Sequence, residues 1–412
     1  MNERLQRILL IAGFVLIVGL MAFGLYWVFF RAPSAGPGVV TPPVTQKPGT
    51  LPGSGAAPPF GATTTGPGGL PTPGGVPTPI PALPTGVPSV QRTTIVNDAR
   101  TTNIAMSKNG QLRGYNPADG KFYRMSADGQ ATPLSNQVFF NVNDVSWANG
   151  SDEAVLEYPD GSNIYYDFAT DKQVTLPKHW EDFGFTPQDD HIIAKSVGNN
   201  EDNRFLVVAN PDGTNAKAVE PLGNNQDKVH VSPSPNNQMI AYSFTGEPQG
   251  FDRQQILLLG ENRENFKGLI VEGRGFIPTW SPSGKNLLYS TYSSTNDYIP
   301  TIWVSGAQGE NVNANRRNLQ LNTWADKCAW QSETVLICGV PTQLGSGAGL
   351  QRTLFENTPD EIYKIDLAAG TKVNLGAPAA GSAVKQMTIT PDGSTALFTD
   401  VTTGRLIRFN LQ

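Results

Sequence analysis

The chain has 412 residues, a formal net charge of −5 and two cysteines. The residues after position 90 carry a net charge of −8, because four of the 30 basic residues but only one of the 35 acidic residues precede that point. An acidic domain without a basic stripe is a poor candidate for binding nucleic acid.

The first element is an apolar run, residues 8–30, of 23 residues without a charged side chain. As a helix it would extend about 35 Å, enough to cross a bilayer core of about 30 Å. A cleavable signal peptide has a shorter apolar region, so the run predicts an uncleaved transmembrane helix. Arg4 and Arg7 precede it, which favours a cytoplasmic segment 1–7 and a single-pass protein whose remainder lies outside the cell membrane.

Residues 31–90 form a proline- and glycine-rich segment. Positions 32–90 hold sixteen of the chain's 33 prolines, twelve glycines and a single charge, Lys47. Proline offers no backbone donor and glycine no side chain to bury, so neither helix nor sheet is expected. The composition predicts a disordered linker between the membrane helix and a folded domain, residues 91–412.

A repeat runs through the folded domain. Each copy has an anchor residue, a polar turn and then a hydrophobic strand, as in TWSPSGKNLLYSTY. The anchors are 38 to 59 residues apart, the spacing of one supersecondary unit per repeat. The seven anchors are Met106, Trp147, Phe185, Val231, Trp280, Trp330 and Ile389.

The strands of each repeat predict the fold class. A third short strand follows each hairpin, a fourth often follows that, and Asp-Gly turns such as Asp160-Gly161 stand where hairpins need them. We therefore predict an all-β, seven-bladed β-propeller, with six blades as the alternative. The last repeat lacks a fourth strand, and we expect the segment 89–96 to supply it and close the ring.

These repeats resemble those of TolB-type propellers. The segments that carry the likeness are WSPSG, SPSPNNQMIAYSF and TITPDGSTALFTD, together with strands such as IYKIDLAAGTKV. With the anchor helix and the linker, the chain resembles membrane-anchored bacterial propellers that are similar to the N-terminal domain of a dipeptidyl peptidase. The α/β-hydrolase domain of that peptidase has no counterpart within residues 91–412, so the resemblance does not imply peptidase activity.

The two cysteines, Cys328 and Cys338, flank a tight turn in the sixth repeat. Hairpin pairing would place them nearly opposite each other, and an extracytoplasmic compartment favours oxidation. A disulfide is therefore predicted, with two free buried thiols or a functional thiol as the alternatives. A zinc site would need four ligands, and the three histidines lie in different repeats, so no metal and no cofactor is expected.

Motifs of catalysis are missing from the sequence. No nucleophile-elbow, phosphate-loop, HExxH or EF-hand pattern occurs. The cluster EDFGFTPQDDH (181–191) gathers four carboxylates and a histidine. We interpret it as two solvated loops around one strand rather than an acid/base or cation site.

The repeats differ most in the segments 245–255, 292–301 and 340–361, between the second and third strands. Insertions on one face of a repeat protein often mark its binding face, where aromatic and arginine side chains dominate recognition. Segments 176–182 and 315–327 should lie on the same side. The candidate binding residues are Trp180, Phe251, Arg253, Tyr292, Tyr298, Trp324, Arg352 and Phe355.

The sequence thus favours a non-enzymatic binding or scaffold module of the cell envelope. We expect a monomeric propeller that is attached to the membrane by its N-terminal helix and binds an envelope or surface protein, or a peptide. The alternative is an enzyme of the hydrolase or lyase type with its site in the central channel, where His230 is the one histidine expected near an inner strand.

Overall fold

The structure is a computed structural model. It describes Phe14, residues 16–21, Phe23 and residues 92–412, apart from residues 127–128, 265 and 379–380. The chain divides into two units, Met1–Leu83 and Pro84–Gln412. The described residues of the first unit are helical. Three predicted segments lie outside the described residues: the remainder of the span 8–30, the segment 1–7 and the linker 31–90. Among the described residues, no helix has the length and hydropathy that crossing a membrane requires.

The second unit consists of antiparallel four-stranded sheets. Blade 1 consists of β2 (Thr102–Met106), β3 (Leu112–Asn116), β4 (Lys121–Met125) and β5 (Ala131–Pro133), and blade 2 consists of β6 (Asp144–Trp147), β7 (Glu153–Glu157), β8 (Asn163–Asp167) and β9 (Lys172–Leu176). Blade 3 consists of β10 (Trp180–Phe185), β11 (Ile192–Val197), β12 (Arg204–Ala209) and β13 (Lys217–Pro221), and blade 4 consists of β14 (Val229–Val231), β15 (Ala241–Ser243), β16 (Arg253–Leu259) and β17 (Leu269–Glu272).

The other three blades follow the same order along the chain. Blade 5 consists of β18 (Arg274–Trp280), β19 (Asn286–Tyr292), β20 (Thr301–Gly306) and β21 (Arg317–Asn318), and blade 6 consists of β22 (Cys328–Trp330), β23 (Val335–Pro341), β24 (Asp360–Asp366) and β25 (Thr371–Gly376). Blade 7 consists of β26 (Val384–Ile389), β27 (Thr395–Asp400) and β28 (Arg405–Asn410), with β1 (Thr93–Arg100) as its fourth strand. The protein is a seven-bladed β-propeller, and the six-bladed alternative is wrong.

The predicted anchors mark one position of this fold. Each of them is the last residue of the first strand of its blade, from Met106 in β2 to Ile389 in β26. These first strands contact one another between neighbouring blades, as β10 does with β6 and with β14. They are therefore the inner strands around the central channel, and the repeat found in the sequence is confirmed as one blade per copy.

The ring is closed by its two ends, as predicted. Strand β1 pairs antiparallel with β28, with Thr94 opposite Arg408 and Ile95 opposite Ile407. The strand extends to Arg100, four residues beyond the predicted segment 89–96. Because one sheet takes strands from both ends of the domain, the last blade cannot form without the first residues of the propeller.

The predicted disulfide is present in blade 6. Cys328 on β22 lies directly opposite Cys338 on β23, and the two sulfur atoms are bonded. Both residues are buried, among the apolar side chains that pack blade 5 against blade 6. The cystine joins the inner strand to the second strand of a single blade and so has the structural role expected for it.

Short 3₁₀ helices lie in the connections. Their bounds are Glu201–Asn203, Gly223–Lys228, Ser294–Asn296, Gly309–Asn311, Ala325–Lys327 and Arg352–Leu354.

Candidate binding face

Three long connections of neighbouring blades form what we call the loop face: residues 244–252, 293–300 and 342–359. Each joins the second strand to the third strand of its blade, in blades 4, 5 and 6. Because the strands are antiparallel, these connections leave their sheets at the same end as the segments between successive blades. The structure shows how the three are joined.

The loops of blades 4 and 5 are joined through one carboxylate. Asp252 has a left-handed backbone, with φ of 53°, and its carboxylate accepts a hydrogen bond of 2.8 Å from the backbone N–H of Ser294. Hydrogen bonding from Ser294, with a smaller contribution from Arg274 at 3.8 Å, lowers the pKa of the Asp252 carboxyl. The carboxylate is therefore ionised at neutral pH, the form that accepts this bond best.

The loops of blades 5 and 6 are joined through their backbones. The N–H of Gly347 donates to the carbonyl oxygen of Asp297 at 2.8 Å, and the N–H of Gly349 donates to that of Tyr298 at 2.7 Å. Asp297 and Tyr298 are both left-handed, with φ of 48° and 55°. Such residues cost free energy and persist only where surrounding contacts hold them, as these two bonds do.

The ring of Tyr292 is enclosed by two glycines. A Cβ atom on Gly349 would lie 2.4 Å from this ring, and one on Gly275 would lie 2.2 Å from it. No other residue type fits at either position without displacing the tyrosine. The phenyl ring of Phe355 lies less closely against Gly345, where a Cβ atom would be 3.2 Å from it. The two predicted aromatic residues thus hold the long loop of blade 6 in place.

Apolar side chains protrude from this fixed backbone. Phe251 is 80% exposed, as predicted for a contact residue, and Leu354 and Leu350 are 71% and 56% exposed. The sequence interpretation missed both leucines because it considered only aromatic and arginine side chains. Large apolar residues in these loops were the signal that could have identified them.

Two predicted contact residues are buried instead. Trp180 is 6% exposed, because its ring packs with Phe183 in the core between blades 2 and 3. Trp324 is 3% exposed, with the guanidinium of Arg352 5.0 Å and the ammonium of Lys327 5.8 Å from its ring centre. Burial of a ring of this size stabilises the fold, so both tryptophans are core residues rather than contact residues.

The arginines of the face are paired within the chain. Arg253 contacts Glu272 at 2.9 Å, and Arg352 contacts Asp326 at 2.7 Å. Tyr298 is half-buried beside its bond to the blade 6 loop. The two arginines predicted as contact residues are therefore already paired with carboxylates, and the exposed side chains beside them are apolar.

The carboxylate cluster 181–191 differs from its predicted form. Glu181 and Asp182 lie within the inner strand β10 rather than in a loop. Asp182 accepts a hydrogen bond from the N–H of Val231 at 3.0 Å and lies 3.5 Å from the ammonium of Lys195 and 4.0 Å from the imidazole of His230. Asp182, Lys195 and His230 come from three strands, β10, β11 and β14, and the pairing and packing of these strands bring the three side chains together at one mouth of the channel.

The environment of this channel mouth perturbs its titrating groups. Burial, followed by the neighbouring Asp144 carboxylate, raises the pKa of Glu157 to about 7. Burial also raises the pKa of Asp182, against the opposing effect of Lys195, and it lowers the pKa of His230. Perturbed values of this kind occur at catalytic sites and in structural ion pairs alike. Within the described residues, no three His, Cys, Asp or Glu side chains gather as a metal site.

Comparison with known proteins shows the fold alone. No protein-family model matches the chain, and no curated protein matches its sequence. Among solved structures, an oligogalacturonate lyase in complex with manganese has 14% identity and a TM-score of 0.52 over 76% of this chain and 89% of its own. The propeller domain of Cps50 (Swd1) from Myceliophteria thermophila has 12% identity and a TM-score of 0.50 over 78% of this chain and all of its own.

A third similar structure is the tricorn protease, with 10% identity and a TM-score of 0.49 over 79% of this chain. The chain spans about a third of the length of that protein, 34%. The lyase and the Cps50 propeller domain share the fold of this chain at 14% and 12% identity. At these identities the function has to be argued from this chain's own residues.

Proposed function

We propose that this propeller is a non-catalytic binding module that holds a protein or peptide partner on its loop face. The observation that carries the proposal is the joining of three neighbouring loops, Asp252 to Ser294 and Tyr298 to Gly349, under exposed apolar side chains. A preformed backbone lowers the entropic cost of binding, and apolar anchors on it are typical of recognition surfaces. Since the most exposed large side chains of the face are apolar, the partner segment is expected to contribute apolar side chains.

The test places a photo-crosslinking amino acid at position 251 of the full-length chain in its own cells, with position 373 as the matched control. Val373 is an exposed apolar residue on the outer strand of blade 6, away from the loop face. A discrete crosslinked protein is expected at position 251 and not at 373. Equal products at both positions would contradict the proposal.

The partner identified in this way is then bound by purified protein. The double variant Phe251→Ser/Leu354→Ser should bind it at least about tenfold more weakly, since hot-spot truncations typically cost 2 kcal/mol or more. The control variant Ile95→Ser/Val373→Ser removes two exposed apolar side chains from outer strands and should bind like the natural protein.

We also propose that the module is TolB-like and tethered at the cell envelope, with the propeller on the extracytoplasmic side. The support is the uncharged run 8–30, the preceding Arg4 and Arg7, and the linker that follows. A reporter fused after Gln412 should be active outside the cytoplasm. Activity of that reporter in the cytoplasm would rule out this arrangement.

A second candidate function is catalysis in the central channel, of the hydrolase or lyase type. The observation that favours it is the grouping of Asp182, Lys195 and His230 with Glu157 nearby at one mouth of the channel. Elemental analysis of the purified chain separates the two candidates. A stoichiometric metal that is lost in His230→Ala would favour the enzyme, and its absence would favour the binding module.

A further inference from the structure

A groove of about 610 Å³ lies on the outer part of blade 5 and shares the loop 293–300 with the loop face. One wall is the connection between β19 and β20, the other is the segment 318–322 that begins with the last residue of β21, and Glu272 of blade 4 also lines the groove. The volume is within the range of roughly 300–1,000 Å³ found for small-molecule sites. This groove, which we call the blade 5 groove, is separate from the apolar surface argued above.

The lining of the blade 5 groove is polar and nearly uncharged. Four carboxamides contribute to it, those of Asn296, Asn318, Gln320 and Asn322, together with four hydroxyl side chains. Glu272 is the only charged residue among those that line it, and its two oxygens are held by Arg316 at 2.8 Å and Arg253 at 2.9 Å. An anion would meet a carboxylate here, and a cation would compete with two arginines. The lining therefore suits a neutral ligand.

The chain is bent so that Gln320 faces the groove. The N–H of Leu319 donates to the carbonyl oxygen of Ile302, and the N–H of Ile302 donates to the carbonyl oxygen of Leu321. Gln320 lies between these two bonds with a left-handed φ of 52°, so the chain turns outward from the sheet edge at this residue. The two leucines pack into the core while the carboxamide between them is exposed.

The neighbouring carboxamides are held with their amino groups available. The oxygen of Asn322 accepts from the hydroxyl of Thr301 at 3.3 Å, and Thr301 in turn accepts from the amino group of Asn296 at 2.7 Å. The oxygen of Asn318 accepts from the N–H of Gln320 at 2.6 Å. Within the described part of the chain, the side-chain amino groups of Asn318 and Asn322 donate no hydrogen bond, so both are available to a ligand. They form a pair of positioned donors on one wall.

An aromatic ring completes the groove. Trp303 on β20 lies directly opposite Asn318 on β21, so their side chains are on the same face of the sheet. Trp303 is half-buried and lines the groove. Apart from Trp303 and Ile299 the lining offers no apolar side chain, which leaves little to select the side chains of a peptide.

From these observations we infer that the blade 5 groove binds a neutral saccharide. Sugar hydroxyls donate and accept hydrogen bonds, which matches a wall of carboxamides and hydroxyls. The C–H face of a sugar ring is apolar and can lie on the indole of Trp303. The joint presence of oriented amide donors, one flat ring and no unpaired charge fits this ligand class better than a phosphate, an amine or an apolar molecule.

The test uses the full-length protein and four trisaccharides: maltotriose, cellotriose, N,N′,N″-triacetylchitotriose and, as the charged comparison, trigalacturonate. Saturation-transfer NMR detects binding, and titration calorimetry measures it. At least one neutral trisaccharide should bind, and Gln320→Ala/Asn322→Ala should bind it about tenfold more weakly, because each lost neutral hydrogen bond typically costs a few-fold in affinity. The control Gln173→Ala/Asn199→Ala changes exposed residues of the same types on blades 2 and 3 and should have no effect.

Three results would overturn the inference. The first is no saturation transfer from the protein to any neutral trisaccharide at millimolar concentration. The second is an affinity of Gln320→Ala/Asn322→Ala equal to that of the natural protein, and the third is binding of trigalacturonate as tight as that of the neutral probes. The variant Phe251→Ser/Leu354→Ser should bind the saccharide normally. Failure of the loop-face proposal and failure of this one can therefore be told apart.

Discussion

The indole N–H of Trp330 donates a hydrogen bond to the carbonyl oxygen of Thr279, 3.3 Å away on the inner strand of the preceding blade. Trp280 makes the same kind of bond to Ser232, and Trp147 makes it to Asn103. In each pair the anchor of one blade reaches the first strand of the blade before it or, for Ser232, the residue directly after that strand. These tryptophans are therefore structural contacts between neighbouring blades.

The first prediction concerns this bond. Trp330→Phe keeps an aromatic ring but leaves the carbonyl of Thr279 without its donor, and it should lower the free energy of unfolding by about 1–2 kcal/mol. Urea denaturation followed by circular dichroism measures this. Trp303→Phe is the control, because the indole N–H of Trp303 makes no hydrogen bond in the described part of the chain. An equal loss in both variants would show that ring size, not the bond, matters.

The second prediction concerns the cystine. Its half-cystines are 10 residues apart, so by the chain-entropy estimate the double variant Cys328→Ala/Cys338→Ala should lose about 2–3 kcal/mol of stability. The natural protein denatured with a thiol reductant should approach the variant, while the variant itself should not respond to the reductant. Identical denaturation with and without reductant would mean that the two sulfurs are not bonded in solution.

The third prediction concerns a buried ion pair. The ammonium of Lys327 lies 2.7 Å from the carboxylate of Asp360, both side chains are fully buried, and the same carboxylate oxygen accepts the N–H of Val384 on the next blade. Burial raises the pKa of Asp360, with Lys327 acting in the opposite direction. Lys327→Met would leave an uncompensated buried charge and should cost about 3–5 kcal/mol.

The double variant Lys327→Met/Asp360→Asn provides the control for that experiment. It removes both charges while keeping an acceptor for Val384, so most of the lost stability should return. Urea denaturation of the natural protein, the two single variants and the double variant gives the coupling between the sites. Losses that simply add would show that the two side chains do not interact.

The repeat made the fold predictable from the sequence. The anchors and the Asp-Gly turns recur, and turn glycines such as Gly161 and Gly393 have the positive φ of 78° and 69° that a tight turn requires. The inner strands of blades 1, 3, 5 and 7 each have a β-bulge near their start, which the sequence pattern did not predict. Four different residue types occupy its left-handed position: Asn103, Asp182, Gly275 and Gln386.

The site was less predictable because its contacts join distant parts of the chain. Asp252 and Ser294 are 42 positions apart, and neither stands in a motif that indicates the other. Trp180 follows a charged, loop-like stretch, yet the adjacent blade supplies an apolar surface that buries it. Local patterns therefore located the loops correctly but could not indicate which of their side chains would face solvent.

The last prediction concerns pH. The folded-state pKa of Glu157 is about 7, above the ordinary carboxyl value of 4.5, so the folded protein retains a proton that the unfolded chain has released between those values. The stability contributed by this proton is fully present below about pH 4.5 and is lost as the pH rises toward 7, by roughly 2–3 kcal/mol. Glu157→Gln cannot titrate and should remove this dependence, whereas Glu310→Gln, at an exposed position, should keep it. Urea midpoints at pH 5, 6, 7 and 8 measure the effect. Parallel curves for the natural protein and Glu157→Gln would mean that burial beside Asp144 does not hold the proton.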